Sequence, residues 1–267
     1  MGRKKEKGKR KKLRIGIVGY GTIGRAVAEF CKDELSDKIK IAGVFDIDKN
    51  KATVRSLDAL IKRSDLLVET ASVSIVPELL KKALDAGRDV LVMSSGGVAG
   101  NPGLLDLAKK KGCKVYLPSG AVCGLDGVKA ASLGRIKSII LTTRKPKEAL
   151  AGAPYIEERN IDLDSIKKET VIFEGSASEA ARAFPKNINV CATLSIAGIG
   201  AALTRVRIIC SPVKKNIHEI ELKGDCGNIS IRTQNLPSPG NPRTSYLAAL
   251  SAAAALKDIV GNVRVGT

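Results

Sequence analysis

Apolar positions are patterned in two different ways along this chain, and the change comes near residue 120. Before that point, short β-branched apolar runs alternate with stretches whose apolar residues recur at helical spacing. The runs that read as strands are LRIGIVG, KIAGVFD, DLLVETA, DVLVMSSGG and CKVYLPSGA. Strands that alternate with helices in this way are typical of a parallel sheet in an α/β domain.

After residue 120 the apolar runs are separated by turns, and most are not followed by a helix. They are SIILTTRKP, TVIFEGSA, RVRIICSP, IHEIELKG and NISIRTQN, interrupted by two helical stretches, SASEAARAF and NINVCATLSIAGIG. This pattern predicts a smaller α+β unit with a mainly antiparallel sheet. The alanine-rich segment at the end is predicted to be a helix capped by Asn241 and opened by Pro242.

Three glycines between the first predicted strand and the first predicted helix carry the clearest chemical signal. Gly19, Gly21 and Gly24 form a GxGxxG pattern, and Asp46 ends the second predicted strand 22 residues after Gly24. In such a turn the first glycine permits the tight bend and the second lets the backbone approach a pyrophosphate. The third allows helix and strand to pack closely. This context predicts a Rossmann-type dinucleotide-binding domain rather than a glycine turn of purely structural use.

The cofactor predicted from this segment is NAD or NADP. The N–H groups that open the helix would face the pyrophosphate, while Asp46 would accept hydrogen bonds from ribose hydroxyls and repel a 2′-phosphate. Lys49 and Lys51 lie close in sequence and could instead accommodate that phosphate. The predicted dinucleotide contacts in this segment are Gly19, Gly21, Thr22, Ile23, Gly24 and Asp46.

These patterns divide the chain into four parts. Residues 1–12 are expected to be a disordered basic tail, and residues 13–120 a dinucleotide-binding domain. Residues 121–240 are expected to form the α+β catalytic or substrate domain, and residues 241–267 a C-terminal helix that packs back on the first domain. The predicted fold class is therefore α/β, with a Rossmann domain joined to a smaller α+β domain for substrate binding or oligomerisation.

Composition narrows the partners and the compartment. The net charge is +18, and residues 2–12 contribute +7 of it through eight basic residues and one acidic residue. Only 3% of residues are aromatic and Trp is absent, so nucleic-acid binding by stacking is disfavoured. No apolar run approaches the ~20 residues of a membrane span, and no signal-peptide pattern is present. We therefore expect a cytoplasmic protein. The positive charge of its body fits either an anionic small substrate or a salt-rich cell interior.

The sequence does not favour a metal site, because the residues that usually bind metals are few or scattered. The six cysteines are scattered without a CxxC pair, which favours buried thiols in a reducing compartment. The single histidine, His218, cannot hold a metal with other histidines. No metal is therefore expected.

His218 lies in the predicted strand IHEIELKG and shares a face with Ile220 and Leu222, while Glu219 and Glu221 point the other way. A histidine on an apolar face is either a hydrogen-bonded core residue or a catalyst. The dinucleotide site favours catalysis, because imidazole has an unperturbed pKa near ~6.5 and can transfer protons at neutral pH. Both interpretations stay open on the pattern alone.

Five segments together resemble the L-aspartate dehydrogenase family: IGIVGYGTIG, LPSGAVCGLDG, FPKNINVCATLSIAG, HEIELKGDCGNISI and NPRTSYLAALSA. The first is generic, and the middle three are more specific in this order and spacing. The resemblance implies NAD- or NADP-dependent oxidative deamination of L-aspartate to iminoaspartate, which water converts to oxaloacetate and ammonia. It also implies that iminoaspartate can feed quinolinate synthesis and NAD biosynthesis, with quinolinate synthase as a downstream enzyme.

The same resemblance implies that His218 is catalytic and that Ala121 and Asn189 contact the cofactor. Asn187 and Asn189 are unusual in an apolar helical stretch, because buried amides need hydrogen-bond partners. Either a ligand or a neighbouring backbone group could be that partner.

The two carboxylates of such a substrate call for cationic or N–H donors. The candidate substrate-binding residues are Ser119, Asn187 and Arg243, with Arg232 as an alternative to Arg243.

Two other functions remain open on the sequence. One is another two-domain dehydrogenase, such as a homoserine dehydrogenase, and the other is a non-enzymatic NADH sensor that binds nucleic acid. A homodimer is expected for so short a two-domain chain, with the second sheet as a candidate pairing surface.

Overall fold

The structure is a computed structural model that describes residues 11–185, 188–212, 215–239 and 241–266, except for the side chains of residues 242 and 243. Most of the segment predicted to be a disordered tail lies outside these residues. The described part contains two five-stranded sheets and a two-stranded ribbon. No helix in this part is long and apolar enough to cross a membrane.

The first sheet is parallel throughout, with strand order β2-β1-β3-β4-β5. Its strands are β1 (Leu13–Val18), β2 (Ile39–Phe45), β3 (Leu66–Glu69), β4 (Asp89–Val92) and β5 (Val115–Tyr116). The helices of this part are α1 (Thr22–Asp33), α2 (Leu57–Arg63), α3 (Val76–Asp85), α4 (Gly96–Ala99) and α5 (Gly103–Lys111). The carboxyl ends of these strands form the edge at which ligands bind in open parallel sheets.

Apolar residues on both faces of the first sheet form two separate clusters, because successive strand residues point to opposite faces. Leu67 and Val90 pack with residues of α2, α3 and α5 on one face. Ile15 and Ile17 pack on the other face with α1 and with the C-terminal helix α11 (Tyr246–Val260). This double coverage explains why the strands read as nearly continuous apolar runs.

The second sheet has the order β10-β9-β6-β8-β7, and only its β6–β8 pair is parallel. Its strands are β6 (Ile136–Lys145), β7 (Thr170–Ser176), β8 (Arg205–Cys210), β9 (Asn216–Gly224) and β10 (Gly227–Asn235). The helices between and beside them are α6 (Leu125–Ala131), α7 (Lys147–Leu150), α8 (Pro154–Glu158), α9 (Ala177–Ala183) and α10 (Asn189–Ala197). The predicted fold class, a Rossmann-like domain with a mostly antiparallel second sheet, is confirmed.

One face of the second sheet is covered and the other carries charged side chains. Ile220 and Leu222 of β9 are buried in a core shared with Leu194 of α10. On the opposite face, Glu219 bonds Arg144 and Arg232. The alternation along β9 therefore separates a packed inner face from a solvent-facing outer face.

The C-terminal segment differs from the sequence prediction at its start. Residues Asn241–Ser245 form strand β12, which pairs with β11 (Pro237–Ser238), and α11 begins only at Tyr246 with Ser245 as its N-cap. The prediction that Asn241 caps this helix was therefore wrong, because backbone pairing with β11 keeps the preceding five residues extended. Once formed, α11 packs along α1 through Ala252 and Leu256.

The cysteines also differ from the prediction of buried thiols. Cys31, Cys191 and Cys210 are buried, but Cys123 and Cys226 are exposed. All six are free.

Candidate active site

The glycine turn after β1 is shaped to bring backbone close to backbone on one side and to stay open on the other. Gly19 has φ +90, and a Cβ built there would lie 2.6 Å from the Ala71 Cα. A Cβ on Gly24 would lie 2.1 Å from the Gly19 carbonyl oxygen. A Cβ on Gly21 would meet nothing within 4 Å, so this glycine borders open space. That arrangement fits a backbone that a ligand approaches at Gly21.

The N-terminus of α1 faces the same open space. Gly21 is the N-cap residue and makes no side-chain cap, and the first turn of α1 contains no acidic residue. The amides of Thr22 and Ile23 open the helix, so the positive end of the helix dipole is available to an anion. Asn241 Nδ2 donates to Thr22 Oγ1 at 3.0 Å, which places the C-terminal ribbon beside this turn. These features fit a pyrophosphate group.

Asp46 lies just after β2 and is held beside the glycine turn by backbone donors. Its Oδ2 accepts from the Tyr20 amide at 2.6 Å, and its Oδ1 accepts from the Asp48 amide at 2.8 Å. Lys51 Nζ lies 2.9 Å from Asp48 Oδ2, and that contact raises the pKa of Lys51. The carboxylate of Asp46 is therefore fixed beside the glycine turn, as a ribose partner would need to be. Of the two lysines considered for a 2′-phosphate, Lys51 is paired with Asp48.

Glu69 is a buried acid at the carboxyl end of β3 that sequence analysis did not single out. It is 0% exposed and accepts from the Ser94 amide at 2.8 Å, from Ser94 Oγ at 2.9 Å and from the Ala71 amide at 2.8 Å. Burial raises the pKa of this carboxyl group. Glu69 thus joins the loops after β3 and β4 at the carboxyl edge of the first sheet. The signal for it was a charged residue ending an apolar strand.

Asn189 connects the two parts of the protein. Its Oδ1 accepts from the Gly96 amide at 3.1 Å, and its carbonyl oxygen accepts from Ser95 Oγ at 2.8 Å. Thr193 Oγ1 donates to Ser95 Oγ at 2.7 Å. The start of α10 is therefore bonded to α4 of the first domain, and the Asn189 side chain lies at the junction.

Ala121 is bonded to the strand next to the one that carries His218. Its carbonyl oxygen accepts from Asn235 Nδ2 at 2.8 Å and from Thr233 Oγ1 at 3.3 Å. Thr233 lies opposite His218 in the β9–β10 ladder, and Thr233 Oγ1 also contacts the His218 carbonyl oxygen at 3.3 Å. The segment that joins the two domains is thereby fixed against β9 and β10. Sequence analysis missed Thr233 and Asn235.

His218 itself is 4% exposed and lies on the inner face of β9. Its Nδ1 is 3.1 Å from Thr143 Oγ1 of β6, a contact between residues 75 positions apart. Burial lowers the pKa of His218 to about 3, and the positive charge of Lys145 adds to the effect. The imidazole is therefore neutral at physiological pH. The bond to Thr143 orients the ring and leaves Nε2 as the nitrogen available to a substrate.

The structure describes only part of the other predicted substrate residues, Ser119, Asn187 and Arg243. The Ser119 carbonyl oxygen accepts from the Val122 amide at 3.4 Å. The next residue, Gly120, donates its amide to Ser251 Oγ of α11 at 3.1 Å. Asn187 lies outside the described residues, and Arg243 belongs to β12 without a described side chain.

The alternative that Arg232 binds the substrate was wrong. Arg232 Nε bonds Glu219 Oε1 at 3.0 Å, and both lie on the outer face of the sheet, away from His218.

Within residues 11–185, 188–212, 215–239 and 241–266, no group of three His, Cys, Asp or Glu side chains could hold a metal ion.

A Rossmann-like domain joined to an α+β domain that carries one buried histidine defines a two-domain NAD(P)-dependent dehydrogenase. Residues 126–259 match the family model for the aspartate dehydrogenase C-terminal domain, and residues 19–118 match that for the NAD-binding domain of homoserine dehydrogenase. The chain belongs to the L-aspartate dehydrogenase family.

Individual relatives agree with this assignment. The chain is 46% identical to an L-aspartate dehydrogenase of Methanosarcina barkeri, covering 96% of this chain and 100% of the relative. It is 37% identical to an L-aspartate dehydrogenase of Bradyrhizobium diazoefficiens, covering 96% and 94%. The crystal structure of aspartate dehydrogenase from Thermotoga maritima superposes with a TM-score of 0.72 at 25% identity, covering 96% of this chain and all of that one.

A more distant structure shares the fold alone. A hyperthermophilic archaeal homoserine dehydrogenase in complex with NADPH superposes with a TM-score of 0.60 at 16% identity, covering 95% of this chain and 100% of the other.

Proposed function

We propose that the protein catalyses the NAD(P)-dependent oxidation of L-aspartate to iminoaspartate, which water converts to oxaloacetate and ammonia. The observation that carries this proposal is the placement of His218, a neutral buried imidazole, on a strand that Thr233 bonds to the segment joining the two domains. Similarity to relatives named L-aspartate dehydrogenase supports the choice of substrate.

The residues at the site divide the work between cofactor binding and proton transfer. Gly21, Thr22 and Ile23 would hold the pyrophosphate at the start of α1, and Asp46 would bind the adenosine ribose. Ala121 and Asn189, which lie at the junction of the domains, would contact the nicotinamide half. When bound, the cofactor supplies the hydride acceptor for the α-carbon of the substrate.

His218 would act as the proton acceptor through Nε2. Hydride loss from aspartate requires a deprotonated amine, and hydrolysis of the imine requires an activated water, so a base is needed in either step. Burial gives His218 a low pKa, and a dicarboxylate bound beside the ring would raise it. The imidazole held by Thr143 through Nδ1 could then accept that proton. The resulting imidazolium would release the proton to solvent as the product leaves.

The proposed reaction is tested by following NAD and NADP reduction with L-aspartate at mildly alkaline pH. We expect turnover with L-aspartate and none with L-homoserine, which lacks the second carboxylate and carries a hydroxyl in its place. Oxaloacetate and ammonia should appear in equal amounts with the reduced cofactor. Turnover with homoserine alone, or cofactor binding without any turnover, would contradict the proposal.

The choice between the two cofactors should depend on Asp46. In Asp46→Ser, loss of the carboxylate removes a ribose acceptor and the repulsion of a 2′-phosphate, so kcat/KM should fall about tenfold for NAD and rise about tenfold for NADP. The measurement is the ratio of the two kcat/KM values in saturating aspartate. Asp164→Ser, which removes an exposed carboxylate from the second domain, is the control. An unchanged ratio in Asp46→Ser would show that the carboxylate does not face the ribose.

We further propose a cytoplasmic homodimer that pairs through the outer face of the second sheet, where Arg207 and Glu174 form an ion pair. Light scattering on the purified protein measures the subunit number.

The product iminoaspartate hydrolyses readily, so an enzyme that condenses it directly, such as quinolinate synthase in NAD biosynthesis, is the proposed downstream partner.

A further inference from the structure

Glu69 places a carboxyl group at the carboxyl end of β3, out of contact with solvent. Its side chain is 0% exposed, and the other three residues of the strand are apolar and buried. Oε1 accepts from the Ala71 amide at 2.8 Å and from Ser94 Oγ at 2.9 Å, and Oε2 accepts from the Ser94 amide at 2.8 Å. The two oxygens therefore join the loop that follows β3 to the loop that follows β4.

A carboxylate suits this position better than an amide would. Burial raises the pKa of Glu69, and the hydrogen bonds from Ser94 and Ala71 act in the opposite direction. Each oxygen faces a backbone amide, which can only donate. A glutamine side chain has a single acceptor oxygen, and its NH₂ group would face one of these two amides. Only the acid can therefore accept from both loops at once.

Each of the two loops also contacts another part of the site. On the β3 side, Thr70 Oγ1 donates to the Gly19 carbonyl oxygen of the glycine turn at 2.6 Å. On the β4 side, Ser95 Oγ donates to the Asn189 carbonyl oxygen at 2.8 Å. Glu69 therefore lies between the glycine turn of the first domain and the start of α10 in the second.

The strand order indicates which half of a dinucleotide these loops would meet. In the order β2-β1-β3-β4-β5, Asp46 follows β2 and the glycine turn follows β1. A dinucleotide with its adenosine ribose at Asp46 and its pyrophosphate at the start of α1 would extend its other half over the ends of β3 and β4. The loops that Glu69 joins lie at those two ends.

We propose that Glu69 is a positioning residue for the nicotinamide half of the cofactor. Because its side chain is fully buried, it acts through the loops after β3 and β4 and not by contact with the cofactor. The carboxylate keeps the two loops together, and the loops set the place of the nicotinamide ring beside α10. The effect of Glu69 on turnover rests on the proposed oxidation of L-aspartate, whereas its effect on cofactor binding does not.

The test compares the binding of NADH with that of ADP-ribose, which keeps the adenosine, the pyrophosphate and the second ribose but lacks the nicotinamide. In Glu69→Gln the dissociation constant of NADH should rise roughly five- to tenfold, because the loops lose one of their shared acceptors. The dissociation constant of ADP-ribose should change less than about twofold, because the contacts at the glycine turn and Asp46 remain. Calorimetric titration measures both. The kcat for L-aspartate should fall roughly tenfold, because the ring would be less well aligned with the substrate.

Asp65→Asn is the matched control, because it makes the same change from carboxylate to amide directly before β3, at the opposite end of that strand. Asp65 accepts from Arg14 Nε at 3.0 Å, so the variant should lower the melting temperature by a few degrees. Both dissociation constants and kcat should stay the same. Ser94→Ala removes the 2.9 Å bond to Oε1 and keeps the carboxylate. It should weaken NADH binding about threefold, and it serves as the test if Glu69→Gln does not fold.

The outcomes separate a positioning role from a purely structural one. Equal losses of NADH and ADP-ribose affinity in Glu69→Gln would overturn the proposal, because they would indicate a general distortion of the domain. Unchanged NADH affinity in whichever of the two variants folds would also overturn it.

The same measurements separate this proposal from the proposed function. A selective loss of NADH affinity in Glu69→Gln, in a protein whose wild type does not oxidise aspartate, would keep the positioning role and reject the reaction. Oxidation of aspartate by the wild type, with unaltered NADH binding in Glu69→Gln, would keep the reaction and reject the positioning role.

Discussion

Replacement of His218 by asparagine is expected to lower kcat for aspartate oxidation by roughly 10³-fold, because general acid–base catalysis contributes about 10²–10⁴-fold. Asparagine is polar and smaller than histidine but cannot accept and release a proton at neutral pH. Steady-state rates with saturating cofactor and aspartate measure the loss. The dissociation constant of NADH should change little, since the contacts at the glycine turn do not involve β9.

Thr143→Val provides the matched control for this result. It removes the 3.1 Å contact at His218 Nδ1 but keeps the imidazole and the size of the neighbouring side chain. A loss of about tenfold is expected, because the ring would be less well oriented but still basic. If His218→Asn retained wild-type kcat, the histidine would be a buried structural residue, as the apolar pattern of its strand alone also allowed.

His218→Asn should also make the free energy of unfolding less dependent on acid pH. The pKa of His218 is about 3 in the folded protein and near 6.5 in the unfolded chain. The stability from its neutral form is full above pH 6.5 and is lost progressively as pH falls towards 3, because only the unfolded chain binds the proton. At pH 5 the loss is about 2 kcal/mol. Urea unfolding at pH 5 and 7 should show a smaller difference in His218→Asn than in wild type.

The second large effect concerns Gly21 and Gly24, which should respond to alanine in opposite ways. In Gly24→Ala the new Cβ would lie 2.1 Å from the Gly19 carbonyl oxygen, so the turn must shift and stability should fall by roughly 2–4 kcal/mol. In Gly21→Ala the Cβ meets nothing within 4 Å and φ is −79, so folding should be unaffected within ~0.5 kcal/mol.

Cofactor binding should separate the two variants further. Gly21→Ala places a methyl group in the space where the pyrophosphate would approach the backbone, so the dissociation constant of NADH should rise at least about tenfold. Thermal unfolding and NADH fluorescence titration measure the two properties independently. Normal NADH binding by Gly21→Ala would mean that the dinucleotide does not cross the turn at this residue. Normal stability of Gly24→Ala would mean that the turn accommodates the methyl group.

The sequence predicted the fold class because its signals are local. The period of the apolar residues distinguishes strands from helices, and the spacing of three glycines with Asp46 marks a dinucleotide turn. The C-terminal segment shows the limit of such signals. Asn241 and Pro242 resemble a helix start, but their segment pairs with β11 instead. The local pattern does not encode this contact between two segments of the chain.

The sequence by itself determined the two kinds of sheet, the glycine turn, the family and the single imidazole available for catalysis. The tertiary structure decided what surrounds that imidazole, since Thr143 lies 75 residues from His218 in the chain and contacts it only because β6 pairs with β9. It likewise placed Arg232 on the outer face of the sheet, where it bonds Glu219. Residue type and spacing specify local conformation, whereas burial, charge and hydrogen-bond partners arise when distant strands meet.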